Sequence, residues 1–351
     1  MALNDQELLY VYQGLHQVFR DDLHLARPLM QMLQNKGDIE DAQQLALEMA
    51  RRLLASGQPS GALSFLGICK RLDHPQKTDI DSMTSMAQMT MDSPQATSTE
   101  IFSLIDNLSD QEAIHFIKQA KLLHCQDGYN VVQLGEISDS FYLILEGEMN
   151  VHLPLDNGTD LHLNTLLPGS YFGEYACVYK LPRTASVTAS GEAVILEFSS
   201  EAITALVEQS PAAGEQLMKA VKTRLIQSMS QTHPAFSSIA AADREWLAEE
   251  SSIIELKDGA LPVSAIENHC CVVIHGKITV KHQTENTQCT LEKNDVFGNL
   301  QEHLTLPDDV SLFAEDHCLI CSIPETIFQS FMMAYGDFSN WVTDSRNNNC
   351  L

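Results

Sequence analysis

Apolar residues recur at helical spacing from Asn4 to about His74. They run through Leu8-Leu9-Tyr10-Val11 to Val18-Phe19, and again from Ala42 to Leu54, so residues 1–78 are predicted to be an all-helical domain. Farther along, the pattern changes to strand-like runs. Phe141-Tyr142-Leu143-Ile144-Leu145 and Met149-Asn150-Val151-His152-Leu153 read as short strands, and so do Cys271-Val272-Val273-Ile274 and Lys277-Ile278-Thr279-Val280. Short strands joined at glycines predict a small antiparallel barrel. Helical stretches are expected on either side of each strand region, over 100–122 and 200–230 for the first and 240–250 and 324–335 for the second. The fold class is therefore α+β: an N-terminal helical domain, then two jelly-roll-like β-barrels flanked by helices.

The two strand regions are copies of one pattern. Asp127-Gly128 recurs as Asp258-Gly259, Leu145-Glu146-Gly147 as Ile274-His275-Gly276, and Phe172-Gly173 as Phe297-Gly298, at offsets of 131, 129 and 125 residues. The expected organisation is a helical domain over 1–78, a linker over 79–98, a first barrel domain over 99–231, a second over 232–335 and a tail over 336–351. The linker assignment rests on a shift to Ser, Met, Thr, Gln and Asp, with Met83, Met86, Met89 and Met91 closely spaced. In the helical domain, Leu54-Ala55-Ser56-Gly57-Gln58-Pro59-Ser60-Gly61-Ala62-Leu63 and the closing Asp73-His74-Pro75 predict two antiparallel helices with a tight turn. This segment resembles a tetratricopeptide hairpin, which implies a protein-interaction role; a plain helical bundle or dimerisation element is the alternative, so a homodimer is compatible with the sequence.

Charge narrows the function classes. With 47 acidic against 21 basic residues the net charge is -26, which opposes binding to nucleic acid or an anionic membrane. No run approaches the roughly 18–20 apolar residues of a membrane span, and the N-terminus lacks the basic start of a signal peptide, so a cytoplasmic location is expected. The nine cysteines show no regular framework, and several that sit within apolar runs read as reduced, buried thiols. Cys318-Leu319-Ile320-Cys321 and His269-Cys270-Cys271 lie in apolar strand-like runs, so a metal or redox site is not expected.

The chemistry concentrates in Phe172-Gly173-Glu174-Tyr175-Ala176-Cys177 and Pro182-Arg183-Thr184-Ala185-Ser186-Val187. Gly173 lets backbone approach a ligand, and amides opening a helical turn suit an anion. Arg183 offers a fixed fork of donors for phosphate, and the Glu174 carboxylate can accept from a sugar hydroxyl. These residues, with Arg183 nine positions after Glu174, resemble the phosphate-binding cassette of the cyclic-nucleotide-binding domain family, over about residues 101–226. The resemblance implies that Glu174 holds ribose, that Arg183 holds phosphate, and that Gly173, Ala176 and Thr184 touch the ligand. Tyr175 and Cys177 depart from the aliphatic residues usual in the family. It also implies cyclic AMP as ligand ahead of cyclic GMP, with Thr184 compatible with both, and no other cofactor. Leu217, Leu225 and Met229 are candidates to cover the base, packing being the alternative, and Trp246 is a candidate cap, a helix-core role being favoured.

In the second copy Glu174 becomes Asn299, and Arg183 with Thr184 becomes Asp308 with Asp309, which replaces an anion site with anions. The expected protein is thus a non-enzymatic regulatory adaptor binding one nucleotide per chain, its protein partner engaged through the N-terminal helices or the second barrel. A protein kinase regulatory subunit and a transcription regulator of the catabolite-activator type are the alternatives.

Overall fold

The computed structural model describes residues 2–89, 105, 108–154, 159–232, 234–283, 287–300, 304, 306–307 and 309–348. They fall into two compact units, Met1–Leu217 and Met218–Leu351.

The first unit opens with α1 (Asp5–Val18), α2 (Leu23–Lys36), α3 (Ile39–Ala55), α4 (Pro59–Arg71) and α5 (Lys77–Met89). Asn4 starts α1 through a capping box: its side chain accepts from the Gln6 and Glu7 amides, and Glu7 accepts from the Asn4 amide. The α3–α4 pair forms because small residues line the contact. Ala46, Ala50 and Ala62 are fully buried, and a Cβ on Gly61 would lie 3.3 Å from Leu53. The segment expected to be a linker is helical over its first part, as α5. Only Ile80 and Ala87 of this helix are buried, so its composition resembles that of a solvated connector. Residues 90–98 of that expected linker lie outside the described residues.

Next come α6 (Asp110–Lys118), β1 (Lys121–Cys125), β2 (Asn130–Val132), β3 (Phe141–Pro154), β4 (Asp160–Leu166) and β5 (Tyr171–Phe172). They are followed by α7 (Glu174–Tyr179), β6 (Ser186–Phe198), α8 (Ser200–Gln209) and α9 (Pro211–Thr232). The strands pair antiparallel in the order β1-β6-β3-β4, with β2 on β6 and β5 on β3. This is an open ladder; the closed barrel expected from the sequence is not formed by the pairing. Ile144, Met149, Leu166, Phe172, Val187 and Ile195 fill its core. Helix α1 lies on the sheet: the Tyr10 hydroxyl donates to Glu146 Oε1 at 2.7 Å, and Val18 fills the space where a Cβ on Gly169 would stand.

Gly147, expected as a turn between two strands, instead sits inside the single long strand β3 at a break in register. Its φ is 79°, and an added Cβ would lie 2.3 Å from the Glu192 carbonyl of β6. Glycine is required there on both counts.

The second unit contains α10 (Pro234–Ser237), α11 (Ala241–Glu250), β7 (Ser252–Leu261), a 3₁₀ turn, β8 (His269–His282), β9 (Gln288–Leu291), β10 (Val296–Gly298), β11 (Val310–Pro324), α12 (Glu325–Ala334) and α13 (Gly336–Asn348). Its sheet runs β10-β8-β11-β7 with β9 on β8. Gly276 repeats the device of Gly147: φ is 80°, and a Cβ would lie 2.6 Å from the His317 carbonyl of β11. The expected tail is largely the packed helix α13. Phe338 is fully buried against Phe236, Phe328 and Phe331, with ring centroids 5.6–5.9 Å away. Residues 349–351 lie outside the described residues.

Cys69, Cys125, Cys177, Cys270, Cys271, Cys318 and Cys321 are free and buried. Cys289 is disulfide-bonded. No helix among the described residues is long and apolar enough to cross a membrane.

Candidate functional site

Strand β5 ends at Phe172, and Gly173 then turns the chain at φ 84°, ψ 0° to start α7 with Glu174. Only glycine fits here. A Cβ would stand 2.6 Å from Arg183 Nη1 and 2.7 Å from the Ser140 carbonyl oxygen, in a left-handed conformation that L side chains avoid. Gly173→Ala is therefore expected to displace the Arg183 guanidinium and abolish measurable binding of the cyclic nucleotide that the sequence resemblance implies, read in a fluorescence titration. Binding at the parent's affinity would show that the site does not depend on this close approach.

Glu174 and Arg183, separated in sequence, are both almost completely buried, at 5% and 4% exposure. The backbone on either side of Arg183 is pinned to the loop after β2: its amide donates to the Glu136 carbonyl and its own carbonyl accepts from the Gly135 amide, both at 2.9 Å. Among the described residues, the guanidinium's hydrogen bonds all go to neutral oxygens. Nε donates to Ser138 Oγ at 2.9 Å, Nη1 to the Gly173 carbonyl at 3.1 Å and Nη2 to the Ser140 carbonyl at 2.8 Å. It also lies 5.8 Å from the centre of the Tyr142 ring, which stacks on Phe172 at 4.9 Å.

Burial pushes the Arg183 pKa below the ordinary arginine value, with nearby Tyr142, Glu136, Cys177 and Glu174 acting the other way. A guanidinium remains charged in proteins. Removing such a cation from water without a hydrogen-bonded carboxylate is costly, and an incoming anion offsets that cost. Electrostatics thus favour a phosphate at this fork even though the whole chain carries a charge of -26.

The other sequence candidates separate by burial. Ala176 is buried at 2% exposure beside Glu174 in α7, whereas Thr184 is exposed, its side chain open to solvent at the start of the next segment. Tyr175 and Cys177, the two unusual residues of the turn, are buried as well. Tyr175 packs edge-on to Tyr179 at 5.7 Å, and burial pushes the Cys177 thiol up to about 11. The turn therefore tolerates both substitutions. Leu217, Leu225 and Met229 are buried side chains of α9. Trp246 is 39% exposed and packs edge-on to Phe331 at 6.0 Å inside the second unit.

Sequence reasoning missed Ser138 and Ser140. Their contribution is one hydroxyl and one backbone carbonyl, supplied from more than 40 positions upstream of Arg183. The only available signal was polar Ser138-Asp139-Ser140 immediately ahead of an apolar strand.

In the second unit, Asn299 occupies the position matched to Glu174. Its backbone is extended in a bridge to Glu267, its amide donating to the His269 carbonyl at 3.2 Å and its carbonyl accepting from the Asn268 amide at 3.0 Å. Asp309 accepts through its carbonyl from the Gln283 amide at 2.9 Å, and Asp308 lies outside the described residues. The described residues hold no group of three or more His, Cys, Asp or Glu arranged for a metal ion.

The family model described as "Cyclic nucleotide-binding domain" matches residues 122–210. A cAMP-dependent protein kinase regulatory subunit of Schizosaccharomyces pombe is 25% identical over 213 residues, covering 57% of this chain and 49% of that protein. One from Mucor circinelloides is 35% identical over 104 residues, covering 30% of this chain and 24% of its own length. The chain thus spans about half or less of these curated relatives. Among solved structures, the regulatory domain of Toxoplasma gondii PKA with cAMP covers 70% of this chain and 92% of its own, at 18% identity and a TM-score of 0.31. Residues 122–210, which match the model of the cyclic nucleotide-binding domain family, contain the Gly173 turn, the buried Glu174 and the Arg183 fork.

Proposed function

We propose that the chain is a cyclic-nucleotide receptor that binds one ligand, cyclic AMP ahead of cyclic GMP, and acts as a non-enzymatic regulatory adaptor in the cytoplasm. The observation that carries this reading is Arg183: a buried cation whose hydrogen-bonded partners are all neutral oxygens, facing a turn that only glycine can make. Phosphate binds the fork, ribose hydroxyls donate to Glu174, and Gly173, Ala176 and Thr184 line the ligand. The placing of Thr184 in solvent-exposed chain suits a contact with the outer part of the base rather than with the phosphate.

The second sheet repeats the strand order of the first, β7-β11-β8-β9 against β1-β6-β3-β4, and the Gly276 approach repeats that of Gly147. It is read as a degenerate copy that has kept the scaffold and lost the anion grip, with Asn299 fixed by backbone pairing where a ligand-facing Glu would stand. Output then passes through the N-terminal helices, whose α3–α4 hairpin is tetratricopeptide-like, or through the second sheet. A regulatory subunit of a protein kinase is the second reading, favoured by the names of the relatives.

Competition of cyclic AMP and cyclic GMP against a fluorescent cyclic nucleotide tests the ligand. Displacement by cyclic AMP at lower concentration supports the reading; tighter displacement by cyclic GMP refutes the base preference, and no displacement by either refutes the function. Inhibition of a protein kinase catalytic subunit by the chain, relieved by cyclic AMP, would decide for the second reading over the adaptor.

A further inference from the structure

The turn between α4 and α5 forms one wall of a polar groove in the helical part of the first unit. After α4, Asp73 takes a left-handed φ of 54°; its amide donates to the Lys70 carbonyl at 3.2 Å and the His74 amide to the Cys69 carbonyl at 3.0 Å. This ending sets His74-Pro75-Gln76 beside α3. Two side chains of α3 hold the turn there: Gln43 Nε2 donates to the Leu72 carbonyl at 2.6 Å, and Arg51 Nη2 to Gln76 Oε1 at 3.0 Å. The groove between turn and helix has a volume of about 720 Å³, within the range of ligand sites.

The charged groups along it are unequally committed. Arg52 is taken up by Asp21 at 2.8 Å and Glu48 at 3.2 Å, whereas the hydrogen bond of the exposed Arg51 goes to the neutral Gln76. His74 is only 5% exposed. Its Nδ1 accepts from the Gln76 amide at 3.0 Å, which puts the ring hydrogen on Nε2, a donor that no described residue takes up. A buried donor in this state favours an incoming acceptor. Glu40, exposed in the first turn of α3, supplies an acid at the other end of the groove. Eleven positions separate Glu40 from Arg51, about 16 Å along the helix.

We propose that this groove binds an extended segment of a partner protein, about five residues long at roughly 3.3 Å each, with an acidic side chain against Arg51 and His74 and a basic one against Glu40. The inference deepens the adaptor reading by giving its N-terminal helices a binding groove, and it does not involve the nucleotide site. The chemistry of the groove selects this occupant. A carboxylate accepts from both Arg51 and His74 Nε2. The Gln44 carboxamide, donor and acceptor at once, suits the alternating N–H and C=O groups of an extended backbone. A segment with one charge of each sign is neutral, so the net charge of -26 does not repel it as it would an acidic one.

Two fluorescent pentapeptides with blocked ends, Lys-Thr-Val-Thr-Glu and Glu-Thr-Val-Thr-Lys, cover both chain directions, their β-branched centres favouring the extended form. Titrated with the full chain at low ionic strength and read by fluorescence anisotropy, one of them is expected to bind saturably. Arg51→Gln and Glu40→Gln, exposed and therefore nearly neutral for folding, are each expected to weaken binding about fivefold, the upper range for an exposed ion pair. Replacing the peptide's Glu by Gln should weaken binding to the parent equally and have no further effect on Arg51→Gln, the sign that the two groups meet. Absence of saturable binding by both peptides, unchanged affinity in Arg51→Gln, or equal binding of a charge-free Gln-Thr-Val-Thr-Gln overturns the groove. Peptide binding by a chain that takes up no cyclic AMP in a separate titration supports the groove and refutes the nucleotide reading; cyclic AMP binding without peptide binding does the reverse.

Discussion

Arg183→Lys is expected to weaken cyclic AMP binding by about 100-fold or more, read as the dissociation constant in a calorimetric titration. The parent guanidinium spreads its donors over Ser138 Oγ, the Gly173 carbonyl and the Ser140 carbonyl, and a planar fork of this kind presents two parallel donors to a phosphate. Lysine keeps the charge but is a point donor on a flexible stem. If two charge-assisted bonds are lost at roughly 1.5–3 kcal/mol each, the penalty is about 3–6 kcal/mol, or two to four powers of ten. Retained charge pulls the result toward the lower end. Circular dichroism should show the same secondary structure in both proteins, since one ammonium can still satisfy part of the oxygen cluster. Affinity within about threefold of the parent would mean that charge alone, and not the fork, holds the ligand.

Gly147→Ala is expected to destabilise the first unit by about 2–5 kcal/mol, from roughly 1–2 for a left-handed alanine and 1–3 for overpacking. The added methyl would meet the Glu192 carbonyl at 2.3 Å and the Ala193 Cα at 2.7 Å, and neither can move without shifting β6. Gly276→Ala is the matching substitution in the second unit, against the His317 carbonyl at 2.6 Å and the Cys318 Cα at 2.9 Å. Gly128→Ala separates the two causes. Its φ is 76° but nothing lies within 4 Å of the added Cβ, so only the backbone term of about 1–2 kcal/mol applies. For units of this size each kcal/mol lowers the melting temperature by roughly 2–4 °C. Thermal unfolding should therefore rank Gly147→Ala well below Gly128→Ala; equal losses would show that the close strand approach contributes nothing.

The most legible part of the site was local. Gly173, Glu174 and Ala176 fall within four positions, and Arg183 follows at a fixed distance, so residue chemistry and spacing sufficed to bring them together. The acceptors of Arg183 were not legible because a carbonyl leaves no trace in residue identity, and the Ser138 hydroxyl is one of many in the chain. The strand regions were also visible, but their connection was not: Gly147 and Gly276 interrupt apolar runs as turns do, yet each lies at a bulge inside one long strand. The expected closed barrels became open ladders for a related reason, since periodicity reports which residues alternate and not which edges pair.

Two helices were hidden by composition. Helix α5 buries little besides Ile80 and Ala87, so its serines, threonines and methionines look like a connector. Helix α13 is polar over most of its length, and its anchor is the aromatic ring of Phe338, whose partners come from two other helices, Phe236 from α10 and Phe328 and Phe331 from α12. Lys180 hid differently: its left-handed backbone breaks the preference for glycine at a helix end, and the compensation lies with Asp139, 41 positions away.

Calorimetric titration of the intact chain with cyclic AMP tests the central claim most directly. The expected result is saturable binding at one equivalent per chain, because Glu174 and Arg183 are both buried in the first unit while Asn299, matched to Glu174 in the second, has no arginine to accompany it. Absence of saturable heat, or a second equivalent of similar affinity, would contradict it.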